Sequence, residues 1–170
     1  MEVMNTEALR LRPPRHRVSG RAVWWWTTRS LAVALPLAAA PAVPAIFVEV
    51  QPARVWLLIA AGTLAVLGLI FTVVMPQWRY RVHRWEVTDT AVYTSSGWIW
   101  QEWRVAPMSR IQTVDTARGP LQRAFGLSSV TVTTASAAGP IEISGLDHTV
   151  ATEVADQLTE NTEAAPGDAT

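Results

Sequence analysis

The sequence predicts a membrane α-helical hairpin followed by a small mainly-β domain that ends in a single helix. Three observations carry this reading. Val55 to Met75 is a run of twenty-one residues without a charge, the length at which an α-helix crosses a hydrocarbon layer of roughly 30 Å. A second uncharged run, Ser30 to Val48, precedes it at hairpin spacing. From Tyr80 onward, short stretches of alternating polarity are separated by glycine and proline, and one amphipathic stretch closes the pattern.

The chain has 170 residues and a formal net charge of zero, but its signs are separated. Arg10, Arg12, Arg15, Arg17, Arg21 and Arg29 fall within the first 29 residues, against Glu2 and Glu7. Residues 1–29 therefore read as a basic cytoplasmic arm, with Trp24, Trp25 and Trp26 suited to the membrane interface, where an indole is half buried and its N–H stays wet. A basic run beside an apolar segment is a topology signal against anionic lipid rather than a nucleic-acid site. There is no cysteine, which excludes disulfides, thiolate nucleophiles and cysteine metal sites.

Residues 30–76 hold two transmembrane helices, about 30–48 and 55–75. The first is the weaker span: Pro36, Pro41 and Pro44 each remove a backbone donor, which lipid tolerates when a neighbouring helix covers the freed carbonyls. The second contains twelve Val, Leu, Ile or Phe residues, and it carries Ala61, Ala65, Gly68 and Thr72 at spacings that form a small-residue seam. Six residues, Glu49 to Arg54, join the two as a tight hairpin. Pro76 is expected to stop the second helix, with Trp78 at the inner interface. Arginines lie before the first helix and after the second, at Arg79, Arg81 and Arg84. This arrangement predicts a multi-pass protein of the inner membrane with both termini cytoplasmic.

Residues 80–160 read as the globular domain. Strands are expected around Trp85 to Val87, Val92 to Thr94, Trp98 to Ala106, Ile111 to Ala117, Val130 to Thr134 and Ile141 to Ser144. Between them, Gly119 to Gly126 has the punctuation of a short helix, with Pro120 at its first position and Gly126 leaving through a left-handed conformation. Leu121 and Phe125 would share its buried face. A final helix, capped by Asp147 or Thr149, presents Val150, Val154 and Leu158 on one side. Residues 161–170 read as a disordered polar tail.

The run Pro107-Met108-Ser109-Arg110-Ile111-Gln112-Thr113-Val114, followed by Gly119-Pro120-Leu121-Gln122-Arg123-Ala124-Phe125-Gly126-Leu127, resembles the signature of bacterial PH-domain membrane proteins of the YdbS-like type. Two membrane helices ahead of the domain match that family as well. The resemblance covers roughly Arg21 to Leu158. It implies a PH-like, partly open β-barrel closed by the C-terminal helix, with Arg110, Ile111, Gln112, Gly119, Arg123, Gly126 and Leu127 as structural motif residues, and it brings no catalytic residues. Trp98, Trp100 and Trp103 are a heavier aromatic load than the pattern requires.

Chemistry-bearing groups are sparse. His16, His83 and His148 have no partners at metal-ligand spacing. Ser128 and Ser129 follow a Gly-Leu pair without the glycine of a nucleophile elbow, and no phosphate-cradling loop is present. No cofactor, metal or catalytic residue is expected. What remains is recognition by Arg79, Arg81 and Arg84 beside the membrane, and by Trp98 and Trp100. These two would share one strand face while Ile99, Trp103 and Val105 fill the core through the other. The expected partners are the lipid bilayer with its anionic headgroups, a second copy of the chain or another membrane protein, and not nucleic acid. The sequence thus reads as a non-enzymatic binding or scaffolding module anchored in the membrane. An accessory subunit of a transporter or channel complex is the alternative, and a membrane enzyme is a more distant one.

Overall fold

The structure is a computed structural model that describes residues 14–136 and 139–164. The first part of the expected arm, residues 1–13, and residues 165–170 of the expected tail lie outside the described residues. Two helices form the hairpin: α1 (Arg21–Phe47) and α2 (Gln51–Val82). Both are long and apolar enough to cross a membrane. Large apolar side chains such as Leu35, Ile46, Leu58 and Ile70 point outward along them, which inverts the pattern of a water-soluble bundle. Where the helices cross, the backbones are close: a Cβ added at Gly68 would sit 3.0 Å from the Ala34 Cβ.

Both helices are longer than the uncharged runs. Helix α1 starts nine residues before Ser30 and continues through Pro36, Pro41 and Pro44. Helix α2 starts at Gln51, with a proline in its first turn, so the link between the helices shortens to Val48–Val50. Pro76 does not end α2, which runs on to Val82. The ring forfeits one hydrogen bond, but Pro76 is fully buried, and packing outweighs the loss. Tyr80 consequently lies on the helix, against the core, rather than opening a strand.

The domain has two antiparallel sheets. One runs β1 (His16–Arg17), β2 (Arg84–Val87), β3 (Ala91–Gly97), β4 (Gln101–Pro107) in that spatial order. The other runs β5 (Ile111–Ala117), β6 (Leu127–Thr134), β7 (Ile141–Asp147). A single 3-10 turn, Met108–Arg110, carries the chain from one sheet to the other. The sheets are not joined by a strand ladder, so the PH-like barrel is open. Helix α4 (His148–Ala164) packs on the β5–β7 sheet and the 3-10 turn and includes residues expected in the tail. Strand β1 comes from the expected arm: His16 pairs with Trp85 and stacks on its ring at 5.1 Å.

Helix α3 (Pro120–Ala124) follows Gly119 as its N-cap, and Gly126 leaves it at a φ of +69°. Leu121 is exposed, contrary to the expected buried pair. Gln122 is buried instead, accepting from the Gly119 N–H and donating to Ser129 Oγ, each at 2.8 Å. Phe125 packs at the margin of the core. At the head of α4, the Asp147 carboxylate accepts from the Thr149 hydroxyl and N–H, and these bonds hold it below the usual carboxylate range.

The core joins Val92, Ala106, Leu127, Val130, Val132, Ile143, Leu146, Val154 and Leu158 to Val18, Ala22, Trp25 and Trp26 from the N-terminal segment and α1. This corrects the interfacial reading of the tryptophan cluster. Trp26 is only 1% exposed and Trp25 is buried, so Trp24 alone of the three faces outward. The domain is therefore built onto the membrane helices rather than hung from them. The Ser19 N–H donates to the Gly145 carbonyl at 2.9 Å, and Arg21 meets Asp147 at 3.3 Å across the same joint.

Candidate membrane-proximal site

The residues singled out for recognition fall into two groups at the domain end of α2. The first is the β3–β4 connection. Trp98, Ile99 and Trp100 do not lie on a strand, because β4 begins only at Gln101. The expected division into outer tryptophans and a core of Ile99, Trp103 and Val105 is thereby overturned: Ile99 is 69% exposed, Trp103 is exposed and Val105 half-buried. Trp98 is held from two sides. Its carbonyl accepts from Trp78 Nε1 at 3.0 Å, and its ring meets Phe71 edge-on at 5.2 Å. Trp100 is 83% exposed. Arg81 and Arg84 line a shallow groove with Ser95, Gln101 and Trp103, because Arg84, Ser95 and Trp103 fall in one cross-strand row.

The second group is a polar cleft of about 340 Å³ between the end of α2 and the facing strands of the two sheets, lined by Arg79, His83, Thr94, Ser96, Glu142 and Ser144 among others. Trp100 stands at its rim, so the cleft and the loop are continuous. The Arg79 guanidinium lies 4.7 Å over the Trp26 ring, and His83 meets the same ring edge-on at 5.3 Å. His83 is buried with Nδ1 unpaired. Burial, and then the charge of neighbouring Arg79, push its imidazole down to about 4, so it is neutral at physiological pH. Across the cleft mouth, Arg104 Nη1 donates to the Pro140 carbonyl at 2.6 Å and the side chain pairs with Glu102 at 3.5 Å, bridging the seam between the sheets. This collection of hydroxyls, one neutral imidazole and charges of both signs is suited to hydrogen-bonding a polar group at the membrane surface.

An apolar groove of about 440 Å³ runs between the two helices, lined by residues including Val33, Leu37, Leu64 and Leu67. Elsewhere, Ser128 Oγ meets His148 Nδ1 at 3.2 Å, a pairing of nucleophile and base that sequence spacing did not suggest. Ser128 is 1% exposed, however, and offers no face to a substrate. No cluster of metal-ligating side chains occurs among the described residues. The motif residues take structural places. Arg110 ends the 3-10 turn, with its carbonyl accepting from Ala135. Ile111 is buried, Gln112 sits exposed at a bulge, Arg123 is exposed on α3, and Leu127 is fully buried.

A two-helix membrane hairpin whose two outer chain ends are built into an open, two-sheet PH-like domain closed by a C-terminal helix defines the class of protein. Residues 30–162 match the bacterial PH domain family, and the chain belongs to it. It is 35% identical over 82 residues to the UPF0699 transmembrane protein YdbS of Bacillus subtilis (strain 168), an alignment that covers 48% of this chain. The chain spans about half the length of that curated relative, 52%. No solved structure matches it.

Proposed function

We propose that this chain is a membrane-anchored binding or scaffolding module, with the PH-like domain held against the cytoplasmic face of the cell membrane and both termini on that side. The observation that carries this reading is the joint between domain and hairpin: Val18, Ala22, Trp25 and Trp26 are core residues of the domain, and Trp25 and Trp26 lie in the first turns of α1. A recognition surface built this way has a fixed height above the bilayer. The arginine distribution supports the cytoplasmic placement, with Arg79, Arg81 and Arg84 at the domain end of α2 and only Arg54 near its other end. Arg81 and Arg84 are the candidates for anionic headgroups, each worth about 1 kcal/mol near such a surface.

The cleft is the candidate binding surface for a lipid headgroup or a membrane-protein partner. In-cell photocrosslinking tests this. A photoreactive residue at Ser96, on the cleft wall, should give a defined adduct that is lost in Trp100→Ser, whereas one at exposed Gln112 should not. Equal or absent labelling from both positions would contradict a binding role for this face.

A second reading, an accessory subunit of a transporter or channel complex, is favoured by the apolar groove of about 440 Å³ between α1 and α2. The contact of Gly68 with Ala34 weighs against it, because that part of the small-residue seam is already used inside the hairpin. A membrane enzyme gains little support, because the Ser128 hydroxyl is buried and of this pair only the His148 ring reaches solvent.

A further inference from the structure

Exposed tryptophans supply a ruler for the membrane. Trp56 and Trp78 both face outward from α2. Twenty-two residues separate them, about 33 Å at 1.5 Å per residue, which matches a hydrocarbon layer with an indole at each boundary. Trp24, exposed near the start of α1, supplies a third indole at the domain end of the hairpin. The β3–β4 connection is fastened to this frame. Trp78 Nε1 holds the Trp98 carbonyl, and the Trp98 ring lies on Phe71, seven residues and about 10 Å further toward the membrane centre.

We propose that the connection Gly97–Trp100 is a third membrane-embedded element, with Ile99 and Trp100 placed among lipid at the inner boundary of the bilayer. Its four residues carry no charge. Its two most exposed side chains, Ile99 and Trp100, are large and apolar, and they flank Trp98, which is seated on the outward-facing apolar side of α2 at Phe71 and Trp78. That seating selects lipid as the occupant, since what surrounds α2 at this level also surrounds the loop. The turn is also built to hold its shape: Gly97 has a φ of +118°, and a Cβ there would lie 1.9 Å from the Trp100 carbonyl oxygen. Two helices and one loop then fix the domain at three points, which sets the tilt of the sheets and brings the rim of the polar cleft, marked by Trp100, to headgroup level. The inference rests on the reading of the chain as membrane-anchored and is independent of which side the domain faces.

Because the chain lacks cysteine, single-cysteine spin labels can be placed at Ile99, at Leu67 within the span and at Asp156 on α4 of the full-length protein. The protein is reconstituted in phosphatidylcholine–phosphatidylglycerol vesicles, and collision rates with oxygen and with a water-soluble nickel chelate are compared. The label at Ile99 should show an oxygen-to-nickel ratio at least about threefold above that at Asp156 and nearer to that at Leu67. If Ile99 matches Asp156 while Leu67 reads as lipid, the loop is in water, and the inference falls while the membrane anchoring stands. Shielding of Ile99 from both reagents would place it under protein and would overturn the inference as well. An aqueous reading at Leu67 would remove the membrane frame itself.

Discussion

Arg79 of α2 lays its guanidinium 4.7 Å over the ring of Trp26 of α1, so the two membrane helices are clamped together by a cation and an indole where they enter the domain. Trp26 has His83 against its edge and Trp25 beside it, at ring separations of 5.3 and 6.0 Å. Removing this indole opens the joint between hairpin and domain. Trp26→Ala is expected to cost about 3–5 kcal/mol, the range for a large aromatic side chain deleted from a core. The check is a loss of near-ultraviolet circular dichroism at a lower temperature in detergent-solubilised variant than in the parent. Unchanged melting would show that α1 does not contribute to the domain core.

The same joint makes the domain inseparable from its anchor. A fragment of residues 80–161 lacks Val18, Ala22, Trp25 and Trp26, all buried in the core. It should fail to give a cooperative thermal transition, whereas the full chain in detergent should give one. A well-folded fragment with dispersed amide resonances would contradict the assignment of α1 to the core.

Gly126 ends α3 in the left-handed region at +69°, and its carbonyl accepts from the His148 N–H at the start of α4. Strain at this one residue therefore reaches two helices. Gly126→Val should destabilise the full-length protein by on the order of 1–3 kcal/mol, measured as a lower denaturation midpoint, while Gln112→Val at an exposed strand position should leave the midpoint nearly unchanged.

His83 predicts a pH dependence with a definite sign. Burial and Arg79 lower its folded-state value to about 4 from the ordinary 6.5. Above about pH 6.5 the imidazole is neutral in both states, and the fold carries no proton-linked cost. As pH falls from there toward 4, the unfolded chain takes up a proton that the fold excludes, and stability is lost, by on the order of 3 kcal/mol when complete. Melting temperatures from pH 7 down to 4.5 should fall more steeply for the parent than for His83→Phe, which keeps a ring against Trp26. Parallel slopes would sink this assignment.

Much of the architecture was legible because it rests on local chemistry. Hydrocarbon thickness dictates the length of an uncharged run, which marked both helices; alternation and glycine punctuation marked most strands; and Pro120 and Gly126 bracketed α3. What escaped was long-range. Trp24, Trp25 and Trp26 beside arginines have the composition of an interfacial belt, and nothing nearby in sequence shows that β7 returns against Trp26 or that the core takes in Trp25 as well. Pro76 has the local chemistry of a helix stop, but burial outweighed its missing hydrogen bond. Trp98 to Ala106 has strand propensity throughout, yet tertiary contacts with Trp78 and Phe71 draw its first three residues into a bend. The cleft was least legible, since Arg79, His83, Thr94 and Glu142 are far apart along the chain and meet only through the topology.

The most direct test of the central claim, a domain held on the cytoplasmic face, is the sidedness of two single cysteines in the otherwise cysteine-free chain. One replaces exposed Ala53 in the first turn of α2, beside the link between the helices, and the other replaces exposed Asp156 on α4. Spheroplasts are treated with a membrane-impermeant thiol reagent before and after lysis. The account predicts that the cysteine at position 53 reacts in intact spheroplasts and that the one at position 156 reacts only after lysis; reaction at position 156 before lysis, with protection at 53, would place the domain outside the cell and contradict it.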